Sequence, residues 1–238
     1  MTAAERDVQL SAFPEIAPDK PTGALPASVQ MGTNADLIAK VAPLYLTGSV
    51  LDVTYGDGKW WDRFTPDPFT HHDLHKGDGV DFTDLPHADR SFDAVCFDPP
   101  YVVSGGESTK GADFQKAYGI GTERLGKSQP VGRERRFEQL LHDGLVECSR
   151  VTDRWLLVKC MEFAQGSFAH NGFHDIPYLM GKWALEECGM VKHDQIVHHA
   201  GSGPGGHNIF TPKRARRHHS YLIVFRPKKS RSAAEVSP

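Results

Sequence analysis

The sequence predicts an α/β domain, a largely parallel sheet with helices on both faces. Short apolar runs recur at 49–54, 69–73, 93–98, 155–160, 190–198 and 220–225. Between several of them lie stretches whose apolar residues fall three and four apart. Strands alternating with helices call for parallel pairing, and 238 residues suffice for one large domain of this kind. In such sheets ligands sit beyond the carboxyl ends of the strands, so acids at strand ends are the first residues to weigh.

Residues 1–30 carry Pro14, Pro18, Pro21 and Pro26 with little periodicity and read as an extended or disordered lead-in to a domain spanning 31–226. Over 34–46, Leu37, Ile38, Val41, Ala42 and Tyr45 form a helical stripe that Asn34 is placed to cap. The strand at 49–54 runs into Tyr55-Gly56-Asp57-Gly58, followed by a turn and an expected helix holding Trp60, Trp61 and Phe64. Strands at 69–73 and 93–98 come next, the second after the Asp84-Leu85-Pro86 turn.

The segment 102–130 is rich in glycine and charge and reads as a long target loop. Helical spacing over 137–151 leads to the strand at 155–160, and a helix over 176–188 ends at Gly189. Strands at 190–198 and 220–225 flank a loop at 198–219, and the tail from 227 reads as disordered.

Lys and Arg total 27 against 30 Asp and Glu, a net charge of −3, so any nucleic-acid surface must be local. Cys96, Cys148, Cys160 and Cys188 are widely spaced without a CxxC pair, as expected of buried thiols in a reducing compartment. Neither a membrane-length apolar run nor a signal-peptide core is present, and a cytoplasmic location is the expectation. His71, His72 and His75 cluster, but no cysteine stands nearby. On a strand, adjacent His71 and His72 point to opposite faces, so no metal site is expected.

Asp98-Pro99-Pro100-Tyr101 closes the apolar run beginning at Phe92. Prolines cannot continue a central ladder, so the chain leaves the sheet there in a fixed shape. The Asp98 carboxylate and the proline carbonyls are acceptors with no proline N–H to compete. A planar group bearing an NH2 could be gripped at its edge and stacked on Tyr101, as an amino group on a nucleobase would be. A plain strand followed by a PP turn is the other reading of the tetrapeptide.

Upstream, glycines in Val50-Leu51-Asp52-Val53-Thr54-Tyr55-Gly56-Asp57-Gly58 stand where a strand turns, allowing positive φ and close backbone approach to a ligand. The pattern is not GxGxxG, because Trp61 occupies the third glycine position, and no phosphate-loop motif is present. Asp73 closes the next strand, where a carboxylate can bind ribose hydroxyls, and Asp81-Phe82 follows. Each of these acids, taken singly, also reads as a solvated loop acid. Their order along the chain is what makes them a set.

With these residues the chain resembles the class I S-adenosylmethionine-dependent methyltransferases that modify the exocyclic amine of adenine or cytosine in DNA. The resemblance spans residues 32–225. It implies a Rossmann-like sheet of seven mostly parallel strands with an antiparallel last strand, and S-adenosylmethionine as cofactor. Asp98, Pro99, Pro100 and Tyr101 match the family's catalytic (D/N/S)PP(Y/F) motif. The loop bearing Asp52, Thr54, Gly56 and Gly58 resembles its cofactor loop, Asp73 the acid after the second strand, and Asp81 the adenine-contacting acid, with Phe82 beside it a further cofactor candidate. Gly32-Thr33-Asn34 resembles the segment that can touch the methionine moiety, which makes Asn34 and Asp98 cofactor candidates too.

An adenine N6 lone pair is delocalised into the ring, so acceptors at Asp98 and the Pro99 carbonyl would direct it at the methyl group by positioning and preorganisation. Attack from cytosine C5 would use a cysteine after a proline, and none is present. Asp rather than Ser at the first motif position favours adenine N6 over cytosine N4. Lys110 in the target loop and Lys213, Arg214, Arg216 and Arg217 in the 198–219 loop could clamp phosphates, or could be solvated loop cations. Asp52 and Asp98 stand too close in the chain to admit a recognition domain between them, and only loops are expected after the motif, so the expectation is a specificity that is short, loose, or supplied by a partner, with a homodimer the other expected association. The competing readings are an RNA base methyltransferase, for example on guanine N2, and a non-catalytic nucleic-acid-binding protein of the same fold.

Overall fold

β-Branched and aromatic runs between glycine and proline breaks form nine strands in the computed structural model, which describes residues 26–99, 131–164, 173–201 and 218–228. In chain order they are β1 (Val29–Met31), α1 (Asn34–Tyr45), β2 (Val50–Asp52), β3 (Phe69–His71) and β4 (Phe92–Phe97). Then come α2 (Val131–Val151), β5 (Thr152–Cys160), β6 (Phe163–Ala164), β7 (Phe173–His174), α3 (Ile176–Glu186), β8 (Met190–His199) and β9 (Ser220–Pro227).

Seven strands form one sheet in the order β1-β8-β9-β5-β4-β2-β3, and β6 and β7 form a second, two-stranded sheet. β9 runs antiparallel to both neighbours, β5 and β8, while the other pairs in the sheet are parallel. This is the mostly parallel seven-stranded Rossmann-like sheet with a reversed last strand that the sequence led us to expect.

The centre of the sheet is buried on both faces, as parallel strands covered by helices must be. Ala94, Val95, Cys96 and Phe97 of β4 are wholly inaccessible to water. Burying a large apolar side chain of this kind contributes about 1.5–3 kcal/mol. On one face α2 and α3 bring Leu141, Leu145 and Met180 against Val95, Phe97, Val158 and Phe225. On the other, α1 packs Leu37, Ile38 and Val41 with Trp60 and Trp61 against Cys96, Leu157 and Val224.

Four local expectations change. The lead-in ends earlier than residue 30, because Val29–Met31 pairs with Val197–His199 at the sheet edge, with Gln30 inside. Thr33, not Asn34, caps α1. Its hydroxyl accepts from Asp36 N at 3.2 Å and Asp36 Oδ2 accepts from Thr33 N at 2.8 Å, a reciprocal capping box. Residues 60–63 form a turn and bends rather than a helix. Finally, α2 begins at Val131, upstream of the expected 137.

Cys96, Cys148 and Cys160 are buried free thiols and Cys188 is half-buried. Among the described residues no helix is long and apolar enough to cross a membrane.

Candidate active site

β2 and β4 lie side by side with Asp52 opposite Cys96, so the two strands deliver their acids to neighbouring places. Side chains alternate along a strand, which puts Asp52 and Asp98 on the α1 face. After β2 the chain turns sharply: Gly58 N donates to Tyr55 O at 2.8 Å, and Gly56 and Gly58 adopt φ of +57° and +69°. A Cβ on Gly58 would lie 2.6 Å from the Tyr55 hydroxyl, whereas one on Gly56 would meet little but open space. Gly58 therefore serves the fold of the loop, and Gly56 leaves backbone open to a ligand.

Asp73 fixes that loop to β3. Its Oδ2 accepts from Gly56 N at 2.8 Å, and its Oδ1 accepts from His75 N at 2.8 Å and Lys76 N at 2.6 Å. Asp81 Oδ1 accepts from the Thr83 N–H and hydroxyl, both at 2.9 Å. Phe82 departs from expectation. Its ring is 1% exposed, packs 5.1 Å from the Phe97 ring centroid and abuts Gly144, so the ring is part of the core.

Asp52 is 3% exposed and accepts from Thr54 N at 2.9 Å and from Trp61 Nε1 at 2.7 Å. Burial pushes its pKa up to about 7, and the nearby Asp98 charge adds to the rise, against the hydrogen bonds that lower it. Asp98 is held by two neighbours. Its N–H donates to Thr54 Oγ1 at 2.8 Å, and Trp60 Nε1 donates to its Oδ2 at 3.0 Å. Its Oδ1 is shielded from solvent and has no partner among the described residues. Burial raises the Asp98 pKa, opposed by the Lys159 charge and the Trp60 hydrogen bond.

Four residues escaped the sequence reading. Trp60 and Trp61, expected on a helix, are the indole donors to the two acids. Lys159, the buried cation of β5, is 3% exposed and donates to Asn34 Oδ1. His198, 1% exposed on β8, contacts Gly32 O through Nε2 at 2.9 Å. A charged residue inside the run Leu156-Leu157-Val158-Lys159-Cys160 was the available signal, since lysine is almost never fully buried without a partner.

The structure thus brings together Asn34, Asp52, Thr54, Gly56, Asp73, Pro99 and Asp98 around the carboxyl ends of the strands. His71 and His72 do face apart: His71 is exposed and stacks on Tyr55 at 4.0 Å. His72 is buried between Asp78 (2.5 Å) and His87 (2.6 Å). Pro100, Tyr101, Lys110, Lys213, Arg214, Arg216 and Arg217 lie outside the described residues.

No protein-family model matches the chain. No curated protein matches it either. Among solved structures it is similar to TrmN from Thermus thermophilus, with 14% identity and a TM-score of 0.48 over 82% of this chain and 48% of that one. A candidate DNA modification methylase from Thermus thermophilus, complexed with S-adenosyl-L-methionine, gives 13% identity and a TM-score of 0.41 over 79% and 59%. A SAM-dependent methyltransferase from Methanosarcina mazei gives 10% and 0.43 over 79% and 96%. The chain spans about half the length of the two Thermus proteins.

Proposed function

We propose that this chain transfers a methyl group from S-adenosylmethionine to the exocyclic amine of a nucleobase in DNA, with adenine N6 as the preferred acceptor. The observation that carries the reading is Asp98 Oδ1, a shielded carboxylate oxygen at the end of a central strand without a partner among the described residues. A buried acceptor left unpaired costs about 1–3 kcal/mol, which a substrate N–H would recover.

The residues present fit the cofactor. Gly56 offers an open backbone at the strand-to-loop turn, and Asp73 Oδ2 has a lone pair left beyond its bond to Gly56 N, suited to a ribose hydroxyl. Asn34, at the start of α1, and Asp52 would border the methionine part, and Asp81 the adenine edge. When bound, the cofactor supplies an electrophilic methyl group on sulfur.

The protein's share is orientation. Asp98 Oδ1 would accept one N–H of the target amine and the Pro99 carbonyl the other, turning the nitrogen lone pair towards the methyl group. The methylated nitrogen must then shed a proton, and Asp98, whose affinity for protons is raised by burial, is the acceptor within reach. A base in duplex DNA must leave the stack at a cost of a few kcal/mol. Stacking on Tyr101 would return ~1–3 kcal/mol of that. Lys110, Lys213, Arg214, Arg216 and Arg217 are the phosphate contacts of this reading, and a specificity partner or second copy would narrow sequence choice.

The test is incubation with isotope-labelled S-adenosylmethionine and either DNA or RNA, followed by mass spectrometry of the nucleosides. N6-methyladenine in DNA is the expected product. Label confined to RNA would replace DNA with RNA as the substrate, and absence of calorimetric cofactor binding would remove the enzyme reading altogether.

A further inference from the structure

Five buried polar groups of the sheet gather on one face. Asp52 (β2), Lys159 (β5), Ser220 (β9), His198 (β8) and Gln30 (β1) are each under 10% exposed and project towards α1 near the carboxyl ends of the parallel strands. The β4–β5 register pairs Phe97 with Val158, so the next residue of each strand, Asp98 and Lys159, stand beside one another on that face.

A buried ammonium needs more than a neutral partner. Among the described residues, the one hydrogen bond from Lys159 Nζ goes to Asn34 Oδ1, an uncharged amide. The carboxylate that attracts it is Asp98. Asp98 in turn has one oxygen tied to Trp60 and the other unpartnered. Each charge is the other's compensation.

We infer that Lys159 is a positioning residue: it holds Asp98 as a carboxylate and ties the first turn of α1 to the same point, keeping Oδ1 open for the substrate amine. The inference rests on the methyl-transfer reading for the role of Oδ1, and it deepens that reading. Asn34 occupies the first helical position because Thr33 is the cap, which frees its amide to take the Lys159 bond. His198 anchors the preceding Gly32 carbonyl and, with burial and the Lys159 charge both depressing its pKa, stays neutral beside the pair.

The other titratable groups facing the pair do not replace either member. Asp52 on β2 is itself buried and repels the Asp98 charge. The Cys96 thiol on β4 shares that face, and the Cys160 thiol next to Lys159 lies on the opposite one; both are pushed far up by burial and remain protonated. Without Lys159, Asp98 faces burial and a neighbouring acid with, among the described residues, the Trp60 N–H left to favour ionisation.

The experiment is carboxyl 13C NMR of the full-length protein labelled at aspartate, titrated in the wild type and in Lys159→Met, with Asp98 assigned by Asp98→Asn. The expected result is an upward shift of the Asp98 pKa by about one unit or more in Lys159→Met, the size an adjacent opposite charge produces. The reciprocal arm follows the Lys159 Cε resonance, whose pKa should fall comparably in Asp98→Asn. That arm carries the test if Lys159→Met does not fold. An unchanged titration of either partner overturns the inference. Methylation measured in parallel should show its acidic limb displaced upward in Lys159→Met. If the two groups titrate as a pair while no nucleoside is methylated by the wild type, the pairing stands and the methyl-transfer reading fails.

Discussion

Trp60 Nε1 lies 3.0 Å from Asp98 Oδ2 and donates to it, so one oxygen of the acid is fixed and the other is left open. The adjacent residue, Trp61, does the same for Asp52 at 2.7 Å. A pair of consecutive indoles thus orients the two strand-end acids. Replacing Trp60 with Phe keeps most of the ring volume and deletes the N–H. We expect a loss of ~1–3 kcal/mol in unfolding free energy, read from urea denaturation, because a buried carboxylate oxygen loses its donor. A stability equal to wild type would remove Trp60 as a support for Asp98.

Asp52 gives the protein a pH signature. Its pKa is raised by burial to about 7 in the folded state, against about 3.9 in an unfolded chain. Between those values the folded protein holds a proton that the unfolded chain has released. Stability therefore falls as pH rises through that window and levels off above it. Asp98, also raised by burial, adds a slope of the same sign. Urea midpoints across the window should fall less steeply in Asp52→Asn, and equal slopes in both proteins would contradict the assignment.

The loop after β2 separates two uses of glycine. Gly58→Ala places a Cβ against the Tyr55 hydroxyl at a φ of +69°, and should lose more than the ~1–2 kcal/mol of left-handed strain alone. Gly56→Ala carries that strain without the clash. Thermal midpoints of the two variants should fall in the order wild type, Gly56→Ala, Gly58→Ala. Equal midpoints for the two variants would mean that Tyr55 gives way freely.

Phe82 is a core residue, and its removal should act on folding. Phe82→Ala opens a cavity against Phe97 and should cost about 3–5 kcal/mol of stability. Denaturation curves check this. A variant of normal stability with weakened cofactor binding would return Phe82 to the ligand.

The sheet was legible because burial of β4 and β5 on both faces demands unbroken apolar runs, and because Gly189 and the 84–86 turn punctuate them. Asp52, Asp73 and Asp98 were legible as strand-end acids. β1 was not: three residues at an edge, two of them exposed, leave no periodic trace. The helix expected around Trp60 failed because the apolar spacing there serves indole hydrogen bonds to two acids rather than a helical face. Burial of the Phe82 ring was not legible, since a neighbour of a strand-end acid points either to the ligand or to the core, and only packing decides. Lys159 and Asn34 lie 125 positions apart in the chain and meet only through tertiary structure.

The most direct test of the central claim, that Asp98 serves methyl transfer to a nucleobase amine, compares wild type with Asp98→Ala. Both are incubated with labelled S-adenosylmethionine and duplex DNA, and N6-methyladenine is quantified by mass spectrometry. We predict product from the wild type and a loss of at least about 100-fold in Asp98→Ala, the scale on which removing one preorganised hydrogen-bonding group acts. Equal product from the two proteins would contradict the account.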